Sequence, residues 1–113
     1  DYFKGNPFKD KLFELITCCQ VLEHVVDLQK FLIDLNNSLI KGGYVYIEVP
    51  DISDFKTLPL DHSRFREPSH LWYFSLEFLT KFFESYGFLK VAGTVKKTVR
   101  GRNNLMIILK KVN

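Results

Sequence analysis

Residues 12–51, LFELITCCQVLEHVVDLQKFLIDLNNSLIKGGYVYIEVPD, change hydrophobic period twice, and those changes decide the fold. Leu12–Thr17 is a short apolar run interrupted by one charge, Glu14, as expected of a mostly buried strand. Downstream, Val25, Leu28, Phe31, Leu32, Leu35 and Leu39 recur at spacings of three and four, which places them on one face of a helix. Asp27 can accept a hydrogen bond from a free N–H at the helix start. Gly42 and Gly43 are expected to end the helix, because glycine enters the left-handed conformation without a Cβ clash. Tyr44–Val49 is β-branched and aromatic and reads as a second strand, stopped by Pro50. A strand–helix–strand unit of this length is a right-handed crossover, so its two strands are parallel.

Outward from this unit the pattern is less regular. Residues 1–11 mix Gly, Pro and charge and read as a loop. Residues 51–71 hold little periodicity and include Pro59, Pro68, His62 and His70; they read as a long loop of the kind that often covers a site. Ser75 is a good N-cap for a second helix, with Phe74 and Leu79 placed as a hydrophobic staple. Leu76, Leu79, Phe82, Phe83 and Tyr86 give that helix its apolar face, and Gly87 closes it. Leu89–Thr98 and Leu105–Lys110 read as two strands joined by a tight turn around RGRNN, and so must be antiparallel. The expected fold is an α/β sheet of parallel strands with an antiparallel C-terminal hairpin. In such sheets the ligand lies beyond the carboxyl ends of the parallel strands, here Thr17–Glu23 and Val49–Ser53.

Composition narrows the class. The 113 residues are 46% apolar and 26% charged, which fits one globular domain or part of one. No apolar run approaches the ~20 residues of a membrane-spanning helix, and no secretory leader is visible, so no membrane partner is expected. The two cysteines, Cys18 and Cys19, are neighbours; they make neither a disulfide framework nor a four-ligand zinc site. A reducing, cytoplasmic location is the default expectation. Charge is uneven. Residues 90–113 carry Lys90, Lys96, Lys97, Arg100, Arg102, Lys110 and Lys111 with no acid, while all 13 Asp and Glu lie earlier. Lysines guarding a strand edge are the ordinary reason for such a segment. No nucleic-acid recognition motif accompanies them, so nucleic acid is not the expected partner.

At the two strand ends the sequence resembles the class I S-adenosylmethionine-dependent methyltransferases. The resemblance rests on LITCCQ followed by VLEHV, a helix, LIKGG and YVYIEVPD, then HLWYFSLEFLTKFFESYGF (residues 70–88). It covers roughly residues 12–110 and is nearest to small-molecule enzymes, including ubiquinone-pathway O-methyltransferases and sugar methyltransferases. It implies a Rossmann-like methyltransferase sheet, with this chain matching the equivalents of strands four to seven. Family members hold the cofactor chiefly through a Gly-rich loop after their first strand and an acidic residue ending the second. No GxGxG occurs among Gly5, Gly42, Gly43, Gly87, Gly93 and Gly101. Residues 1–113 are therefore expected to be the C-terminal part of a single methyltransferase domain. They would be the substrate-side half and inactive alone.

The resemblance also implies the site. Cys18, Cys19 and Gln20 match the loop that passes beside the cofactor, S-adenosylmethionine, with Cys19 at the position most often in contact. Burial as small side chains at a strand end is their ordinary alternative. Glu23 and His24 match residues that, in the ubiquinone-pathway enzymes, join an acidic residue three positions before the glutamate in binding a divalent metal. Here that position is Gln20, whose amide oxygen is a weaker ligand for a hard cation, so no metal site is expected. His24 can instead serve as general base toward a hydroxyl, its pKa lying near neutrality; satisfying backbone groups at the helix start is the structural alternative for this pair. His70 matches a histidine of the loop over the substrate pocket, a second candidate base. His62 has no motif around it, and Trp72, Tyr73 and Phe74 read as packing.

The expected partner is a small-molecule methyl acceptor, sugar or quinone-like. Without a strand on its outer side, the first strand leaves an open edge, through which a homodimer is expected. A non-catalytic interaction module with a methyltransferase-like fold is the competing reading.

Overall fold

The computed structural model describes residues 11–51, 74–97 and 103–113. Strand β1 (Phe13–Cys19) leads through a 3-10 turn (Leu22–His24) into helix α1 (Leu28–Ser38), and strand β2 (Leu39–Pro50) follows directly. Helix α2 (Leu76–Glu84) precedes strands β3 (Phe88–Lys97) and β4 (Asn103–Lys111). The four strands form one sheet in the order β1-β2-β4-β3. β1 and β2 are parallel, as the crossover predicts, and the β3–β4 pair is antiparallel. β4 returns between β2 and β3 rather than at the edge, so it pairs antiparallel with both.

Both helix starts follow the sequence. Asp27 accepts from the backbone N–H of Lys30 at 3.1 Å, and Ser75 accepts from that of Phe78 at 3.1 Å. Val25 is buried but precedes the helix, which begins only after the Asp27 cap. The helix end differs from expectation. α1 stops at Ser38, and Gly42 and Gly43 lie inside β2 instead of closing the helix. Two contacts explain this. The Ser38 hydroxyl donates back to the Asp34 carbonyl at 2.8 Å. The Lys111 ammonium donates to the carbonyls of Asn36 at 2.6 Å and Leu39 at 2.9 Å. A cation from β4 thus satisfies the carbonyl end of α1, and no glycine cap is needed. The glycines serve a slip in strand register. Phe13 pairs with Leu39 but Leu15 with Tyr44, so β2 carries extra residues there. Gly42 has φ of 84°, and a Cβ on Gly43 would lie 2.9 Å from the Ile40 carbonyl oxygen.

Strand alternation gives the sheet two unlike faces. Ile16 and Cys18 on β1, Val45, Ile47 and Val49 on β2, and Leu105, Ile107 and Leu109 on β4 point to the helices and join the core. Leu28, Phe31, Leu32 and Leu35 of α1, with Leu79 and Phe83 of α2, are buried in the same cluster. Each large side chain so buried contributes about 1.5–3 kcal/mol. Phe74 and Leu79 are both fully buried in that core, while Leu76, Phe82 and Tyr86 are only partly covered. An aromatic series at helical spacing, Phe74, Phe78, Phe82 and Tyr86, runs along α2 with ring centroids 5.5–6.3 Å apart. On the opposite face, Leu15, Tyr44, Ile108 and their neighbours are not covered by any described element. A groove of about 710 Å³ lies there, lined by Leu15, Thr17, Ile40, Tyr44, Tyr46 and Ile108. Among the described residues β1 has no neighbour on its outer side.

Candidate functional site

Parallel pairing brings the carboxyl ends of β1 and β2 together. Thr17 lies opposite Tyr46, Cys18 opposite Ile47 and Cys19 opposite Glu48. The pairing ends with the Gln20 N–H donating to the Glu48 carbonyl at 2.7 Å. Thr17–Gln20 thus lie beside Tyr46–Glu48, immediately before Val49, while residues 52 and 53 lie outside the described residues, as do His62, His70, Trp72 and Tyr73. Asp51 is buried, its N–H bonded to the Asn103 carbonyl at 3.1 Å, which ties this end of β2 to the start of β4.

Alternation separates the two cysteines. Cys18 points into the core, 4% exposed, and burial, with a smaller contribution from Cys19, pushes its thiol up to about 12. It is a packing residue by geometry and no nucleophile. Cys19 is exposed on the uncovered face at the strand end, and its thiol is also raised, by desolvation and then by the Glu48 carboxylate. Gln20 has φ of 58°, the left-handed region, and turns the chain away from the sheet.

Glu48 carries a cluster that the sequence reading did not single out. Its carboxylate accepts from the Tyr46 hydroxyl at 2.9 Å, from the Gln20 amide at 3.5 Å and from the Asn104 amide at 3.4 Å. Desolvation and the Glu48 bond raise the Tyr46 phenol to about 12, so it stays a donor. The signal was present in YIEVP: Glu48 is the one charge in that apolar run, at the carboxyl end of the strand.

Glu23 and His24 follow on the 3-10 turn. Glu23 is buried, while the His24 side chain keeps about a fifth of its surface, and the two approach to 3.8 Å between Nε2 and Oε2. The turn is fixed by His24 N–H to the Val21 carbonyl at 2.9 Å and Val25 N–H to that of Leu22 at 3.2 Å. Among the described residues no three His, Cys, Asp or Glu side chains are grouped to hold a metal ion. No helix among them is long and apolar enough to cross a membrane.

Comparison with known proteins identifies this arrangement. Residues 2–92 match the family described as Methyltransferase domain. The chain belongs to the methyltransferase-domain family. A curated relative of this methyltransferase chain, the tRNA U34 carboxymethyltransferase of Psychrobacter sp. (strain PRwf-1), is 32% identical over 84 residues. The match takes in 73% of this chain and 24% of that protein, so the chain spans about a quarter of its curated relative. Among solved structures, an S-adenosylmethionine-dependent methyltransferase from Thermotoga maritima superposes with a TM-score of 0.73 at 18% identity, covering 96% of this chain and 60% of the other. The N-methyltransferase NodS from Bradyrhizobium japonicum WM9, crystallised with S-adenosyl-L-homocysteine, gives 0.63 at 15% identity, covering 92% and 48%. Both confirm the methyltransferase-like, Rossmann-type sheet, in part. The NodS structure holds S-adenosyl-L-homocysteine, and the Thermotoga maritima protein is described as S-adenosylmethionine-dependent.

The described residues offer one open surface at the end of the parallel strands. The Cys19–Gln20 turn is exposed at the carboxyl ends of the parallel strands, where α/β sheets bind ligands. Cys18, being in the core, can contribute only through its backbone.

Proposed function

We propose that residues 1–113 form the C-terminal, substrate-side part of a methyltransferase domain that moves a methyl group from S-adenosylmethionine to a small-molecule acceptor, sugar or quinone-like. The observation that carries this reading is the adjacency of the Cys19–Gln20 turn and the end of β2 at the ligand-binding edge of a methyltransferase-family sheet. Cys19 and Gln20 would hold the methyl donor, with Cys18 behind them in the core. When bound, the donor supplies a methyl group on a positively charged sulfur, ready for in-line displacement. The chain's own part is to align the acceptor and to take its proton. His24 is the proposed base, held near the site by the 3-10 turn with Glu23 behind it; His70 is the second candidate. No metal enters this proposal.

The rest of the domain would complete the molecule. A further strand beside β1 and a cover for the face around Leu15, Tyr44 and Ile108 would bury what the described residues leave open. In their absence, pairing of two copies through the β1 edge is the proposed outcome. A second reading places the acceptor in RNA. It is favoured by the relative's name and by the exposed Lys90, Lys96 and Lys97 on β3.

The test is methyl transfer by the full-length polypeptide from donor labelled in its methyl group to panels of small hydroxylated acceptors and of tRNA. Label in the small molecules, with His24→Ala lowering turnover at least about 100-fold, supports the first reading. Label only in tRNA supports the second, and no transfer to either overturns both.

A further inference from the structure

We infer that Glu48 is a positioning residue, holding Gln20 in the left-handed turn that presents Cys19 and Gln20 to the methyl donor. The inference deepens the methyl-transfer reading and rests on it. Gln20 is the only non-glycine residue with positive φ among those described. An L side chain rarely adopts that conformation, and it persists where neighbours hold it.

Glu48 supplies the hold at two points. Its carbonyl accepts the Gln20 N–H at 2.7 Å, and its carboxylate accepts the Gln20 side-chain amide at 3.5 Å. The carboxylate is itself steadied by the Tyr46 hydroxyl at 2.9 Å and the Asn104 amide at 3.4 Å. Those partners come from β2 and from the start of β4, so the turn at the end of β1 is fixed relative to both strands beyond it. The side chain of Glu48 lies on the uncovered face, opposite Cys19 in the strand pairing, and is only half-buried. It contributes nothing to the helix-covered core. An apolar residue would serve packing on that face equally well; only an acceptor can take the three donors.

Glycine enters positive φ without steric cost, so a glycine at position 20 would keep the turn without the clamp. This gives a test that separates positioning from general stability. Affinity for S-adenosylhomocysteine is measured by calorimetry in the full-length polypeptide carrying Glu48→Gln, Gln20→Gly or both. Glu48→Gln removes the charge and one of the two acceptor oxygens, and should weaken affinity roughly three- to tenfold. In the Gln20→Gly background the same change should cost less than about twofold. Amide hydrogen exchange on the same proteins should show faster opening at Gln20 in Glu48→Gln and unchanged exchange at Ile47. Equal losses in both backgrounds, or unaltered affinity in Glu48→Gln, overturns the positioning role. Absence of S-adenosylhomocysteine binding by the unsubstituted polypeptide instead overturns the methyl-transfer reading, and this inference with it.

Discussion

Cys18 and Cys19 share a residue type and a peptide bond, yet the strand puts them in opposite environments. Burial favours the neutral thiol of Cys18, whose pKa rises from 9.0 to about 12. The sign of the resulting pH dependence follows from that direction. The group's contribution to stability is complete below its unfolded value of 9.0 and is lost as pH climbs from there toward 12. Tyr46, raised from 10.0 to about 12, acts in the same sense at slightly higher pH. Thermal unfolding should therefore shift to lower temperature between roughly pH 8.5 and 10.5, with Cys18 contributing on the order of 1–2 kcal/mol of the loss. In Cys18→Ala the decline should be shallower, on top of a uniform cost for the small cavity. A wild-type midpoint that does not move across this interval would show that the thiol is not buried in the folded state.

Elements were legible to the degree that local chemistry specified them. The caps at Asp27 and Ser75 were readable because an N-cap is a matter of one side chain and the N–H three residues on. The parallel β1–β2 pair was readable from the crossover length. The end of α1 was not, because it depends on Lys111, which is 75 residues from Asn36 in sequence. The doublet Gly42-Gly43 read as a helix stop and in fact accommodates the register slip in β2. The same limit applied to the site. A motif marked Cys19 and Gln20, but Glu48 acquires its role only when Gln20, Tyr46 and Asn104 converge on it across three strands. Likewise nothing local told that β4 would insert between β2 and β3. The long-range cap can be checked directly. Lys111→Met keeps the aliphatic stem and removes the ammonium that meets two carbonyls. It should lower stability by about 1–2 kcal/mol in denaturant unfolding, with amide exchange accelerated in the last turn of α1. An unchanged midpoint would show that the carbonyl end of α1 is satisfied without the cation.

Across the molecule, the described residues form a sheet covered on one face. Helices α1 and α2 bury the side bearing Val45, Ile47 and Ile107, while the side bearing Leu15, Tyr44 and Ile108 and the outer edge of β1 have no described cover. An open parallel edge and an apolar groove promote association. Residues 1–113 produced alone should sediment as a dimer or larger species at low micromolar concentration, or unfold over a broad, low-temperature transition. A monomer with a sharp, cooperative transition would show that the face and edge need no cover. If residues 1–113 are part of a larger methyltransferase domain, as proposed, its remainder is the natural source of the cover. On the proposed reading the cofactor edge is a shared structure, with Cys19 and Gln20 on one side and groups from outside residues 1–113 on the other. Calorimetric titration with S-adenosylhomocysteine, run in parallel on the full-length polypeptide and on residues 1–113 alone, probes that arrangement most directly. Micromolar affinity is expected in the full-length polypeptide and little or none in residues 1–113; micromolar affinity in residues 1–113 alone, or none in either, would refute the shared site.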